Sequence, residues 1–138
     1  MLDTNVISEL MKSRPEAAVI SWVDSQTPSI LYISAIARAE IELGIALLAA
    51  GRRKKDLAAS ADLLFSEFSG RCLAFDSAAA PEYAGIVSQR NKMGRPISVE
   101  DAQIAAIARA NSMRLATRNI VDFEFIQRLE IINPWKKK

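Results

Sequence analysis

Residues 30–51 read ILYISAIARAEIELGIALLAAG. Ile30 to Ile33 is a β-rich apolar run, the composition of a buried strand. Ser34 follows it, and a serine there can cap a helix by accepting from a free N–H of the first turn. Apolar residues then recur at helical spacing to about Ala50, and Gly51 closes the segment. A strand running directly into a capped helix is one β–α unit. The same alternation extends to both ends of the chain. Met1–Leu2 followed by Asp3–Thr4–Asn5 reads as a strand end and a helix start. Pro15 begins a second helix, with Val19, Trp22 and Val23 on one side. A helix spans roughly Arg52 to Phe68, closed by Gly70. Cys72 to Phe75 is a second buried strand, and Asp76 or Ser77 opens a helix that ends near Gly94. Ser98 caps another, to about Asn111. Leu115–Ala116–Thr117 is a third strand, and Glu130 to Ile132 is an edge strand stopped by Asn133–Pro134.

Strands that alternate with helices predict an α/β fold: a central parallel sheet of about four to five strands, flanked by helices on both sides, in one domain over residues 1–138. The crossovers should be right-handed. In such folds the site lies beyond the carboxyl ends of the strands, so the residues after each strand are the first candidates for it.

Composition limits the chemistry. Half of the 138 residues are hydrophobic and a quarter are charged, with 5 Gly and 5 Pro, which suits a globular protein without linkers. No apolar run reaches the length of a bilayer span, and an acid at the third residue argues against a signal peptide, so a cytoplasmic protein is expected. The net charge of +2 does not by itself argue for nucleic acid. The basic residues are bunched in Arg52–Lys55 and in Lys136–Lys138, which suits either a solvated surface or phosphate attraction. There is no histidine, which excludes Ser-His-Asp and Cys-His mechanisms. The single cysteine, Cys72, allows neither an internal disulfide nor a Cys/His zinc cluster. Beside Leu73–Ala74–Phe75 it is expected in the core. Any catalysis must come from carboxylates, lysines, hydroxyls or a metal held by oxygen.

Three acids sit where a surface acid does not belong. Asp3 follows the first strand, as a helix cap or as a site residue. Glu40 has Ile36, Ala37, Leu43 and Gly44 at i−4, i−3, i+3 and i+4, so it points from an apolar stripe. Glu42, by contrast, has Arg38 at i−4 and reads as a paired surface acid. Asp101 precedes Ile104, Ala105 and Ala108 on its helix, and Ser98-Val99-Glu100-Asp101 also fits a capping box. Thr117 and Asn119 leave the third strand with Asp122 close behind. Carboxylates gathered in one pocket repel one another. A hard cation with oxygen ligands relieves the repulsion, and Mg²⁺ or Mn²⁺ in such a site serves phosphoryl chemistry.

Four stretches resemble the PIN-domain toxins of the VapC family, close to the FitB-like branch. They are Leu2-Asp3-Thr4-Asn5-Val6-Ile7-Ser8-Glu9, Ile33-Ser34-Ala35 with Ala39-Glu40-Ile41-Glu42-Leu43-Gly44, the run from Asp101 to Ala108, and Leu115-Ala116-Thr117-Arg118-Asn119 with Asp122-Phe123. Asn133-Pro134-Trp135 also has a counterpart. The resemblance implies a PIN fold and a Mg²⁺- or Mn²⁺-dependent endoribonuclease, the toxin of a type II toxin–antitoxin pair. It implies Asp3, Glu40, Asp101 and Asp122 as catalytic acids, the first three as metal ligands, with Asn5, Thr117 and Asn119 in support. The implied partners are RNA, a VapB/FitA-like antitoxin and a second copy of the chain, with no membrane. Arg52, Arg53, Lys54, Lys55, Arg90, Lys92, Arg95 and Arg118 are the candidates for phosphate contact. Two rival readings are a receiver-like acidic binding module and a haloacid-dehalogenase-like phosphatase. A receiver needs paired acids after the first strand and a late lysine. The phosphatase needs Asp-x-Asp, where Asn5 stands in the second acid's place.

Overall fold

A computed structural model of the chain describes residues 1–137; Lys138, the end of the second basic run, lies outside the described residues. Helices α1 (Thr4–Leu10) and α2 (Ala17–Asp24) come first. They are followed by β1 (Ile33–Ser34), α3 (Ala35–Ala46), α4 (Arg52–Glu67), β2 (Cys72–Leu73), α5 (Ala79–Lys92) and α6 (Val99–Ala110). The chain then forms β3 (Leu115–Ala116), the short α7 (Ile120–Phe123) and β4 (Ile131–Ile132).

β1 and β2 pair in parallel, Ile33 opposite Cys72, and so do β3 and β4, Leu115 opposite Ile131. The first three residues join these ladders. Leu2 forms a parallel bridge with Ala116. The Ala116 N–H donates to the Met1 carbonyl at 2.8 Å, and the Asp3 N–H donates to the Ala116 carbonyl at 2.9 Å. On the other side the Leu2 N–H donates to the Tyr32 carbonyl at 2.8 Å. Met1–Leu2–Asp3 is therefore the middle line of the sheet, in the order β2, β1, residues 1–3, β3, β4.

Consecutive residues of a strand face opposite sides of its sheet, and the core divides accordingly. Met1 and Leu115 pack with Ile86, Ile104, Ile107 and Phe123, under α5, α6 and α7. Leu2, Ala116 and Ile33 pack with Val6, Ile7, Val19, Ile41 and Phe65, under α1 to α4. Helices thus cover both faces, as the alternating pattern predicts. Each large aliphatic side chain buried this way contributes about 1.5–3 kcal/mol of apolar transfer.

The strands are shorter than the apolar runs that mark them. Ile30 to Ile33 is not a strand throughout. Pro28, with its fixed φ, starts a 3₁₀ turn over Pro28–Ile30, and pairing begins only at Ile33. Cys72 to Phe75 pairs only at Cys72–Leu73. Along it exposure alternates: Leu73 and Phe75 pack on the core, whereas Cys72 and Ala74 face solvent. Cys72 is therefore not a core residue, because an all-apolar run conceals which phase of the period-two pattern points inward. Thr117 and Glu130 fall just outside β3 and β4.

The helix caps follow the sequence more closely. The Ser34 hydroxyl accepts from the Ala37 N–H at 3.0 Å, and the Ser98 hydroxyl from the Asp101 N–H at 3.1 Å. Asp76 accepts from the Ala79 N–H at 3.1 Å. α2 begins at Ala17, two residues after Pro15, and Glu9 receives the Glu16 N–H at 3.0 Å just before it. α3 stops at Ala46 and not Ala50. The Lys54 ammonium, reaching over from α4, donates to the Ala46 and Leu48 carbonyls at 3.1 and 3.3 Å and so meets groups the helix end leaves open. Glu42 and Arg38 lie on an exposed face, 3.4 Å apart. Among the described residues no helix is long and apolar enough to cross a membrane.

Candidate active site at the carboxyl ends of the strands

Asp3 ends the middle line of the sheet and caps α1. It is 3% exposed, too deep for an unsupported carboxylate. Its Oδ1 accepts from the Thr4 N–H at 2.8 Å. Its Oδ2 accepts from the Thr117 hydroxyl at 2.7 Å and from the Asn5 amide at 3.1 Å. Thr117, fully buried at the end of β3, also accepts at its Oγ1 from Asn5 Nδ2 at 3.1 Å and from the Asn119 N–H at 3.0 Å. The Asn5 Oδ1 in turn accepts from the Arg118 N–H at 3.2 Å. This network joins α1 to the turn after β3 and fixes the Asp3 carboxylate in one orientation.

Glu40 stands half-buried on α3 and accepts from the Thr4 hydroxyl at 3.1 Å. Asp101 stands half-buried in the first turn of α6. Asp3, Glu40 and Asp101 line one recess of about 440 Å³ at the carboxyl ends of the strands, with Asn5, Arg118 and Asn119 in its wall. Asp122, on α7, is exposed and is not part of that wall, yet its charge acts on both Asp3 and Asp101.

The carboxyls feel one another. Burial pushes Asp101 up to about 6, and the charges of Asp3, Asp122 and Glu40 add to it, opposed by the Ser98 hydroxyl. Burial also raises Asp3, against its three hydrogen bonds, with Asp122 adding to the rise. Glu40 is raised by burial and then by Asp3 and Glu100, with Thr4 pulling it back. The fully ionised set is thus disfavoured as it stands. These donors suit a hard divalent cation by type, since all are oxygens. Among the described residues no three acids stand together as a finished cage. Mg²⁺ needs none, because it keeps several waters and takes one or two protein carboxylates.

The wall also holds residues that sequence reading did not single out. Thr4, Ser8, Glu9, Lys12 and Trp135 all line the recess. Glu9 is buried, but the Lys12 ammonium lies 2.6 Å from it. The hydrogen bond from Lys12 holds its carboxyl below the usual range, the reverse of the three acids above. The i,i+3 spacing of Glu9 and Lys12 was the available signal for that pair. Trp135 is marked only by the family counterpart of Asn133-Pro134-Trp135, which gives it no place in the recess.

The basic residues scatter. Arg52 and Arg53 line a separate hollow of about 1320 Å³ beside α1, α2 and α4, together with Leu10, Val23 and Leu64. Lys54 is bonded to the end of α3, and Lys55 is exposed on α4. Arg95 lies 3.9 Å from Glu124 and stacks on Phe125. Lys92 is exposed at the end of α5, and Arg90 is buried against backbone carbonyls. Of the eight, Arg118 alone reaches the acid recess.

Residues 1–126 match the PIN domain family. The chain is 41% identical over 137 residues to VapC ribonuclease Y4jK of Sinorhizobium fredii, covering 99% of this chain and 97% of that one. It is 40% identical over 136 residues to Toxin FitB of Neisseria gonorrhoeae, covering 98% and 97%. The crystal structure of FitAcB from Neisseria gonorrhoeae matches the fold with a TM-score of 0.89, at 39% identity over 99% of this chain and 98% of that one. A parallel sheet between two helical layers, an acid recess at its carboxyl end and full-length likeness to these proteins agree: the chain belongs to the PIN-domain family, in its VapC and FitB toxin branch.

Proposed function

We propose that this protein is an endoribonuclease dependent on Mg²⁺ or Mn²⁺ and that it acts as the toxin of a toxin–antitoxin pair. The observation that carries the reading is the meeting of Asp3, Glu40 and Asp101, from three separate elements, in one recess of a PIN fold. The similarity to a VapC ribonuclease and to Toxin FitB supports the substrate class and the toxin role. An antitoxin partner of the VapB/FitA kind and a homodimer belong to the same proposal.

Asp3, Glu40 and Asp101 would hold the ion directly or through water, with Asp122 at its outer edge. When bound, the ion supplies positive charge for the phosphoryl oxygens and an acidified water as nucleophile. Thr117, Asn5 and the Thr4 N–H hold Asp3 in one rotamer, so its remaining lone pair, on Oδ1, needs no reorganisation during the reaction. Thr4 holds Glu40 in the same way. Water adds to the scissile phosphorus and the bond to the 3′ oxygen breaks, leaving a 5′-phosphate and a 3′-hydroxyl. Cationic groups at the recess offset the repulsion between acids and RNA.

The rival readings lose ground at particular residues. Asn5 stands where a receiver or a dehalogenase-like phosphatase needs a second acid, and its amide is engaged by Asp3 and Thr117. The turn after β3 brings an arginine and no lysine. The deciding experiment is cleavage of a structured RNA by the purified protein, with Mg²⁺ or Mn²⁺ and with chelator, beside Asp101→Asn. Cutting that needs metal and is lost in the variant is expected. Equal cutting by the variant, or labelling of Asp3 by an acyl-phosphate donor, would overturn the reading.

A further inference from the structure

Among the described residues the acid recess has two cations in its wall, Lys12 and Arg118, and of these only Arg118 lacks an ion-pair partner, its charge acting on Glu9 from farther off. Lys12 is held by Glu9 at 2.6 Å. Arg118 is exposed and has no carboxylate within ion-pair distance among the described residues. Its guanidinium carbon lies instead 5.2 Å from the centroid of the Trp135 ring, and Trp135 lines the same recess. The indole also packs against the core built on Leu2 and Val6, so its position is set by the sheet and not by the surface.

A tryptophan is a poor structural choice at this point. Its indole N–H is buried and has no acceptor among the described residues. An unmet buried donor is destabilising, and such an exception calls for an explanation. Phenylalanine would fill much of the same space without the orphan donor. The property peculiar to the indole is the strongest aromatic face for a cation. A face that holds a guanidinium also limits the many rotamers an exposed arginine would otherwise sample.

We propose that Trp135 is a positioning residue that holds the Arg118 guanidinium at the acid recess, where Arg118 clamps an RNA phosphate next to the scissile bond. The inference rests on the nuclease reading above. It selects one arginine from a scattered basic set and gives Trp135, the last aromatic residue of the sequence, a role in substrate binding. The planar fork of arginine suits a phosphate's paired oxygens, and the neighbouring acids make a held cation more necessary here than elsewhere on the surface.

The test is binding of a single-stranded RNA as a function of salt, in an Asp101→Asn background that does not cut, with cleavage by the otherwise native protein measured in parallel. Arg118→Gln should lower the slope of log affinity against log salt by about 0.7, the loss of one phosphate contact. Trp135→Leu should weaken binding by about two- to fivefold, the size of an exposed cation–π contact. Adding Trp135→Leu to Arg118→Gln should cost nothing further, because the tryptophan acts through the arginine. Trp135→Phe should keep part of the affinity while melting no lower than the parent, and it decides the matter if the leucine variant does not fold. Strictly additive effects, or an unchanged salt slope in Arg118→Gln, would overturn the clamp while leaving the nuclease intact. A parent that neither binds nor cuts RNA would sink both readings.

Discussion

The Thr117 hydroxyl donates to Asp3 Oδ2 at 2.7 Å, joining residues 114 positions apart and holding an acid of the recess from a buried side chain. Thr117→Val keeps the shape and removes the hydroxyl. Asp3 then loses one of the bonds that favour its charged form, and Asn5 and Asn119 lose their shared acceptor. Affinity for Mn²⁺ and the cleavage rate should each fall about 10- to 100-fold, as when a ligand's supporting partner is removed. Stability should fall by about 1–3 kcal/mol. Calorimetric Mn²⁺ titration and thermal melting measure the two separately. Unchanged metal affinity in a folded variant would mean that Asp3 is not held for an ion.

Arg90 makes a different prediction. It is 6% exposed and faces no carboxylate among the described salt bridges. Its guanidinium donates to the carbonyls of Arg95 at 2.8 Å, Asp122 at 2.9 Å and Glu124 at 3.2 Å. One side chain on α5 thus fastens the loop before α6 to the C-terminal end of α7. Arg90→Met removes those donors and leaves three partly buried carbonyls to water, at a cost of about 1–3 kcal/mol. Urea denaturation should show a lower midpoint with an unchanged slope. A variant as stable as the parent would show that water replaces the guanidinium.

Asp101 carries a pH signature. Its folded-state value of about 6 lies above the ordinary 3.8, chiefly because of burial and the Asp3 charge. Between those values the folded protein binds more protons at this group than the unfolded chain does. By linkage its contribution must weaken as pH rises through that window. Asp101 is only half-buried, so solvent screening limits the effect to about 1 kcal/mol or less. In metal-free protein, the melting temperature of the parent should therefore fall relative to Asp101→Asn between about pH 4 and pH 6. Melts in chelator at several pH values test this, and parallel curves for the two proteins would refute it.

The fold was legible because its signals are local. Ser34 and Ser98 cap the helices they precede, and the division of the core follows from the alternation of Met1 with Leu2 and of Leu115 with Ala116. What local pattern does not carry is phase and length. Cys72 faces solvent although every neighbour to its right is apolar, and pairing at β1 is cut short by the turn at Pro28. The acids were legible for a related reason: Glu40 and Asp101 each break an apolar helical face, and that break is visible within a few residues. The place of Trp135 was not, because what it does depends on Arg118, a partner brought beside it by the sheet. The Arg118–Trp135 stack joins residues on either side of β4, and no spacing rule along the chain foretells it.

Asp122 and Asp101 are both carboxylates of the proposed centre, but the structure treats them unequally. Asp101 lines the recess and its pKa is raised, whereas Asp122 is exposed on α7 and acts from outside the wall. An ion in the recess would feel Asp122 through water, so its removal weakens the field without removing a ligand. Asp122→Asn should reduce cleavage by about tenfold, and Asp101→Asn by at least about 100-fold, at saturating Mn²⁺. Raising Mn²⁺ should recover much of the Asp122→Asn loss and little of the other, because a weakened field is offset by occupancy and a missing ligand is not. Single-turnover rates across a Mn²⁺ series distinguish the two. Equal losses that neither series recovers would place Asp122 among the direct ligands and require α7 to move inward when metal binds.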